Sequence, residues 1–313
     1  MFTIKQPTTI VFGYHSARDY NAPTDSLVIT SSGAKARGWL EYTKLKEAYL
    51  FDKVEPNPSI DTVNIILNEF RSSNFSNIIG IGGGSSLDVA KFVAFQTKKQ
   101  KIMIPTTFGS GSEVTRISVL KIDGKKQSFH DDGLFADVAI IDSYFIYNSS
   151  EEIIKNSAID ACAQCTEGFD SKIGNQHTKF MCTKAFDLLE DGILNDRKEN
   201  IVLGSLYAGL GFGNCSTTLG HALSYVYSNE GYSHGHALAF TTSVAHLFNE
   251  SIFYNRFLNI VKRLEFERIN LKQNLDDAAD LILTDKKHLD NNPKAVTKND
   301  IMILLNKINS FHP

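Results

Sequence analysis

Between residues 27 and 142, short apolar runs alternate with amphipathic stretches, the pattern of buried strands joined by crossover helices. The runs at 27–30, 77–81, 102–104 and 138–142 predict buried parallel strands. The stretches at 61–72 and 86–96 predict the helices between them. After Asp142 the β-branched runs stop, and helical periodicity takes over from 150 to about 194 and again from 200 onward. Asn148-Ser-Ser150 followed by Glu151 and Glu152 reads as a helix start with acids in its first turn. The expected organisation is therefore an α/β half over 1–147, built on a parallel sheet, and an all-α half over 148–313.

Composition narrows the function classes. A chain of 313 residues, 42% hydrophobic and 21% charged, can bury cores for two domains. A net charge of −3 gives no electrostatic reason to expect nucleic acid or an anionic membrane as partner. The start, Met1-Phe-Thr-Ile-Lys-Gln-Pro7, lacks the charged head and apolar run of a secretory signal, and no run reaches the roughly 18 apolar residues that span a bilayer. A cytoplasmic protein with a small-molecule partner is the expectation. Cys162, Cys165, Cys182 and Cys215 are not spaced as a disulfide framework. Cys162-Ala-Gln-Cys165 has dithiol spacing, but it lacks the strand–helix context of a redox motif and the second pair of a zinc ribbon, so all four read as buried reduced thiols.

Two glycine-rich loops follow predicted strands. In Gly80-Ile-Gly-Gly-Gly-Ser-Ser-Leu-Asp88, Gly82, Gly83, Gly84 and Ser85 let the backbone pass close to a ligand just before a helix whose first N–H groups are unpaired, a setting for pyrophosphate. Ser85 or Ser86 can cap that helix, and Asp88 is either a further capping carboxylate or a nucleotide contact. The spacing departs from Gly-x-Gly-x-x-Gly, because Ser85 occupies the sixth position. The second loop, Pro105-Thr-Thr-Phe-Gly-Ser-Gly-Ser-Glu-Val-Thr115, brings the hydroxyls of Thr106, Thr107, Ser110 and Ser112 to bear on a ribose, phosphate or nicotinamide amide, or forms an ordinary hydroxyl-rich turn.

Asp160 and Gln164 stand four apart in a helical segment and so share a face, which Glu167 continues a turn later. His221, His234 and His236 fall within 16 residues around a glycine turn. One carboxylate and two imidazoles form the donor set of a catalytic divalent site with positions left open.

In order along the chain, the segments Thr8–Gly13, Val54-Glu-Pro-Asn-Pro58, Gly82–Lys91, Pro105–Thr115, Asp160-Ala161 with Glu167, His221-Ala222, His234-Gly235 and Asn291-Asn-Pro293 resemble the iron-dependent, or group III, alcohol dehydrogenases. The resemblance implies a dinucleotide-binding α/β domain, a helical metal-binding domain of the dehydroquinate synthase-like kind, an active site in the cleft between them, and dimerisation through the edge of the first strand. It also implies Asp160, Gln164, His221 and His234 as the metal set, iron or zinc as the metal, and Lys126 as a lysine near the cofactor.

Two departures matter. Gln164 stands where the family has a histidine; either its amide oxygen ligates, or three protein ligands act with water, or metal is lost, with His236 as a substitute donor. Tyr225 stands where many relatives carry another histidine. With the His-Ala-Leu-Ser-Tyr run, these features resemble the phosphonoacetaldehyde reductase branch, and Arg116 is then the candidate partner for a phosphonate. Thr30-Ser31-Ser32-Gly-Ala-Lys35-Ala-Arg37 lacks the acid that NAD-preferring relatives carry, so NADP is expected over NAD. The implied reaction is hydride transfer between nicotinamide and a small aldehyde or alcohol at a metal, with Tyr225, His236 or a relayed water as proton donor. A family relative without catalytic metal, acting as a nucleotide-binding or interaction protein, is the competing expectation. A lyase of the sugar-phosphate cyclase type is a third.

Overall fold

The computed structural model describes residues 1–45 and 49–312, which fall into two compact units: Lys5–Ser149, and Ser150–Pro313 together with Met1–Ile4. No helix among the described residues is long and apolar enough to cross a membrane.

The first unit carries a six-stranded, wholly parallel sheet. Its strands are β1 (Thr9–Phe12), β2 (Ser26–Ile29), β3 (Tyr49–Phe51), β4 (Asn77–Gly82), β5 (Gln100–Pro105) and β8 (Val138–Ile141), in the order β1-β8-β5-β4-β2-β3. β2 and β4 are buried along their whole length, which is why both read as continuous apolar runs rather than alternating ones. Leu27, Ile29, Ile78, Leu87, Val93 and Met103 belong to the core between this sheet and the Gly84–Thr97 helix.

Four strands lie outside those read from the pattern: β1, β3 and the two strands of a hairpin. Three-residue β3 is too short to announce itself. The stretch after the hydroxyl-rich loop forms an antiparallel hairpin, β6 (Ile117–Ile122) and β7 (Lys125–His130), turned at Asp123 and Gly124, both with positive φ. Lys126 lies within β7, opposite Lys121.

The second unit is all-helical. Ser150 caps the Glu151–Asp170 helix by accepting from the Ile153 N–H at 3.4 Å, with Glu151 and Glu152 favourably placed in the first turn. Asn175 with Thr178, and Thr297 with Asp300, close reciprocal capping boxes on two further helices. From Ala158 to Gly168 the Glu151–Asp170 helix is buried on every side, so it forms the centre of this unit. The four cysteines are free and buried; Cys162 and Cys165 are packed inside that helix, and burial pushes both thiols up.

Candidate functional site

In the first unit, the residues expected to meet a nucleotide lie at the carboxyl ends of three neighbouring strands. Ser31 and Ser32 follow β2, Gly82, Gly83, Gly84 and Ser85 follow β4, and Thr106, Thr107, Ser110 and Ser112 follow β5. This edge of a parallel sheet is where such folds bind ligands. The two glycine-rich loops pack on each other: the Thr106 N–H donates to the Gly82 carbonyl at 2.9 Å, and a Cβ on Gly84 would come 2.8 Å from Ser110 Oγ. Gly84 is thus fixed by a close approach at the first turn of a helix, where N–H groups lack intrahelical acceptors.

Asp88 does not cap that helix, whose N-cap is Gly83 without a side-chain bond. It is buried instead, accepting from Ser112 Oγ at 2.5 Å and from the Val119 N–H at 2.9 Å. Lys91, fully buried and not singled out by motif reading, lies 3.6 Å from Asp88 and donates to the carbonyls of Ser112 (2.8 Å), Thr115 (3.3 Å) and Ile117. Burial pushes the Asp88 carboxyl up and the Lys91 ammonium down, and their mutual attraction opposes both shifts. The pair pins the hydroxyl-rich loop and the start of β6. Ser112 is consequently turned inward, whereas the Thr106 hydroxyl is buried without a hydrogen-bond partner. The phosphate-binding expectation for Arg116 meets a competing partner: its guanidinium is 41% exposed and bonded to Asp132 at 3.0 Å, which also pairs with Lys5.

In the second unit, Asp160, His221 and His234 converge. Their ligand atoms lie within 4.8 Å of one another, and Asp160 Oδ1 is 3.9 Å from Nε2 of each histidine. These separations are too long for hydrogen bonds, but two ligands about 2.1 Å from a common divalent ion stand roughly 3–4 Å apart. Gln164, one turn after Asp160 and buried, donates from Nε2 to Asp160 Oδ1 at 2.9 Å. Its carbonyl oxygen is buried and accepts no hydrogen bond. An orphaned acceptor beside a carboxylate and two imidazoles is what a cation would satisfy, so the residues present fit a divalent metal.

Glu167 sets the histidine geometry. Its Oε2 lies 2.5 Å from His221 Nδ1, and the carboxylate also accepts from the Thr218 and His221 N–H groups, both at 3.2 Å. It therefore orients the ring and anchors the start of the Leu219–Asn229 helix. Burial works against the charge of Glu167, but His221 holds its pKa below the usual carboxylate range; burial likewise opposes protonation of His221, and Glu167 outweighs it, moving that ring up. Gly220 makes room: a Cβ there would sit 2.2 Å from Glu167 Oε1. Asn156, on the same helix as Asp160, accepts from Ser233 Oγ and from the His236 N–H at 3.0 Å, fixing the start of the His234–Asn249 helix.

Tyr225 lies nearly parallel to His234, ring centres 6.3 Å apart, and burial keeps its phenol protonated. His236 does not join the group. Its Nε2 is bonded to the Glu267 carbonyl and its ring stacks on Phe266 at 5.1 Å, because the next-but-one residue on a helix points to a different face. The expectation that His236 replaces the missing ligand or supplies the proton is corrected accordingly. His288 was missed. It is buried, 6.2 Å from His221 and 6.0 Å from Tyr225 by ring centres, and nothing in its local sequence links it to residues more than 60 positions away.

Two family descriptions match the chain: iron-containing alcohol dehydrogenase over residues 7–143, and the C-terminal part of the Fe-containing alcohol dehydrogenase family over 154–282. The chain belongs to the iron-containing alcohol dehydrogenase family. Among relatives, it is 32% identical over 209 residues to 4-hydroxybutyrate dehydrogenase of Clostridium kluyveri, a match covering 58% of this chain and 56% of that protein. It thus spans about half the length of that relative. An iron-containing alcohol dehydrogenase from Thermotoga maritima has the same fold, with a TM-score of 0.90 at 23% identity over 99% of this chain and 100% of that one. So does sulfoacetaldehyde reductase from Bifidobacterium kashiwanohense, solved with NAD+, with a TM-score of 0.88 at 22% identity and both chains fully covered. The parallel-sheet α/β unit and the helical unit are those of iron-containing alcohol dehydrogenases.

Proposed function

We propose that this protein is a metal-dependent, nicotinamide-linked alcohol dehydrogenase or aldehyde reductase acting on a small aldehyde with an anionic tail, such as phosphonoacetaldehyde. The observation that carries this reading is the convergence of Asp160, His221 and His234 beside the orphaned carbonyl of Gln164. In this reading Asp160, His221, His234 and Gln164 Oε1 hold the metal, and Glu167 keeps His221 in the ligating tautomer. Gly82, Gly83, Gly84 and Ser85 receive the pyrophosphate at the helix start; Thr106, Thr107 and Ser110 hold the nicotinamide end, and Lys126 lies near the cofactor. A divalent ion held there would supply a Lewis acid for the carbonyl oxygen, and a nicotinamide held by the loops would supply the hydride chemistry. In this reading Tyr225, its phenol kept neutral beside His234, holds the proton for the substrate oxygen.

The anionic tail is supported by likeness to an enzyme named for sulfoacetaldehyde and to one named for 4-hydroxybutyrate. On the helical unit a cation acts on this group: Lys287 disfavours protonation of both His221 and His288. For the cofactor, NADP(H) is favoured. No acid follows β2, and Arg37, whose guanidinium lies 4.9 Å over the Trp39 ring, and Lys35 are the cations beside Ser31 and Ser32.

The test is metal analysis of the purified protein combined with an aldehyde panel, including phosphonoacetaldehyde, run with both reduced cofactors. The expected result is about one divalent ion per chain, chelator-sensitive aldehyde reduction and at least tenfold preference for NADPH. Tight nucleotide binding with no bound metal and no turnover would establish the competing reading, a nucleotide-binding or interaction protein. A tenfold preference for NADH would overturn the cofactor assignment alone.

A further inference from the structure

His288 stands apart from the residues that ligand reasoning selects, yet it is built like one of them. It is 5% exposed, and its Nδ1 lies 2.6 Å from Asp285 Oδ2. The Asp285 carboxylate also accepts from the His288 N–H at 3.3 Å. A carboxylate can only accept, so the ring proton sits on Nδ1 and Nε2 is left as an acceptor.

The short helix carrying His288 is locked in place. Asn291, one turn on, donates to the Cys215 and Thr217 carbonyls at 2.9 and 3.0 Å and accepts from Ser171 Oγ at 2.9 Å. These bonds tie it to the loop that leads into His221 and to the end of the helix that bears Asp160. The ring is thereby held at 21° to His221 and beside Tyr225. It remains outside the group whose ligand atoms lie within 4.8 Å of one another, so it borders the metal position without belonging to it.

Building on the function proposed above, we propose that Asp285 and His288 form a substrate-orienting dyad, in which His288 Nε2 accepts a hydrogen bond from the hydroxyl of an alcohol bound at the Asp160–His221–His234 group. An acceptor-only nitrogen discriminates within the redox pair. The alcohol offers an O–H donor, whereas the aldehyde offers none, so the dyad strengthens binding of the alcohol alone.

The experiment compares wild type with His288→Ala, His288→Gln and Asp285→Asn, each loaded with zinc, using 2-hydroxyethylphosphonate with phosphonoacetaldehyde and 1-butanol with butanal. Bound zinc and melting temperature are measured alongside kcat and KM in both directions. The expected result for His288→Ala is an alcohol KM raised about tenfold, an aldehyde KM within twofold of wild type, and unchanged zinc. His288→Gln, which keeps an acceptor near the Nε2 position, recovers at least threefold of that loss, and Asp285→Asn loses part of it. An unchanged alcohol KM, or equal rises for alcohol and aldehyde, overturns the dyad and leaves the proposed function standing. Loss of zinc in His288→Ala makes His288 a ligand and also overturns the dyad. A wild-type protein that binds no metal and turns over no pair overturns the function and the dyad together.

Discussion

Gln164 Nε2 donates to Asp160 Oδ1 at 2.9 Å, which leaves the glutamine carbonyl oxygen buried without a donor. The orientation of this amide is dictated by Asp160, since an ionised carboxylate accepts and never donates. The consequence is a neutral oxygen donor where the family resemblance leads one to expect an imidazole.

Replacing that oxygen should therefore move metal affinity in opposite directions according to the replacement. Gln164→His is expected to tighten zinc binding by about 10 to 100-fold, and Gln164→Ala to weaken it by roughly tenfold. Competition against a fluorescent chelator reads both. Identical affinities in all three proteins would show that position 164 does not ligate.

Glu167 acts on the metal through His221. Glu167→Gln removes the charge that holds the ring 2.5 Å away, and the expected loss of zinc affinity is about 10 to 100-fold. The same variant weakens the anchoring of two backbone N–H groups. Thermal melting of the apo protein separates that effect from metal binding, and an unaltered zinc dissociation constant would contradict the role.

For the nucleotide loops, Gly84→Ala forces the new Cβ against Ser110, 2.8 Å away. The nucleotide dissociation constant, followed by fluorescence of the reduced cofactor, should rise at least tenfold. Ser110→Gly in the same chain should recover part of the loss, because it removes both clashing atoms. Failure of that second change to help would mean that the two loops do not act as one cradle.

Stability of the α/β unit carries a pH signature at Glu113. Burial pushes this carboxyl up to about 7, against an ordinary 4.5. The folded state thus holds its proton more tightly than the unfolded chain, so stability falls as pH rises from about 4.5 to 7 and is level above that. Glu113→Gln lacks this slope. Its stability relative to wild type should increase by about 3 kcal/mol between pH 4 and pH 8, read by denaturant titration. A pH-independent difference would refute the assignment.

Much of the candidate site could be found from local pattern because its parts are local. Asp160, Gln164 and Glu167 share one face through helical spacing, and the glycine loops follow apolar runs that are strands in the structure. His236, one of several alternatives for the ligand and the proton donor, turns to Glu267 and Phe266 because residues two apart on a helix point to different faces. For Asp88 the spacing leaves open a cap or a nucleotide contact, while the interior bonds to Ser112 and Val119 that claim it come from residues 24 and 31 positions away. The burial of Lys91, which closes the Gly82–Lys91 run, is not legible in the sequence because a lysine within an amphipathic stretch ordinarily lies at the surface.

The order of short apolar runs, glycine loops and helical periodicity was enough to determine the two architectures and the identity of the family, since each of those signals is written within a few neighbouring residues. Only the tertiary structure decided that Lys91 pins the hydroxyl loop, that Arg116 is paired with Asp132, and that His288 joins His221 and Tyr225. Those outcomes depend on which side chains meet after chain segments far apart in sequence pack together. Hydrophobic spacing specifies which face of an element is buried, but not what it is buried against.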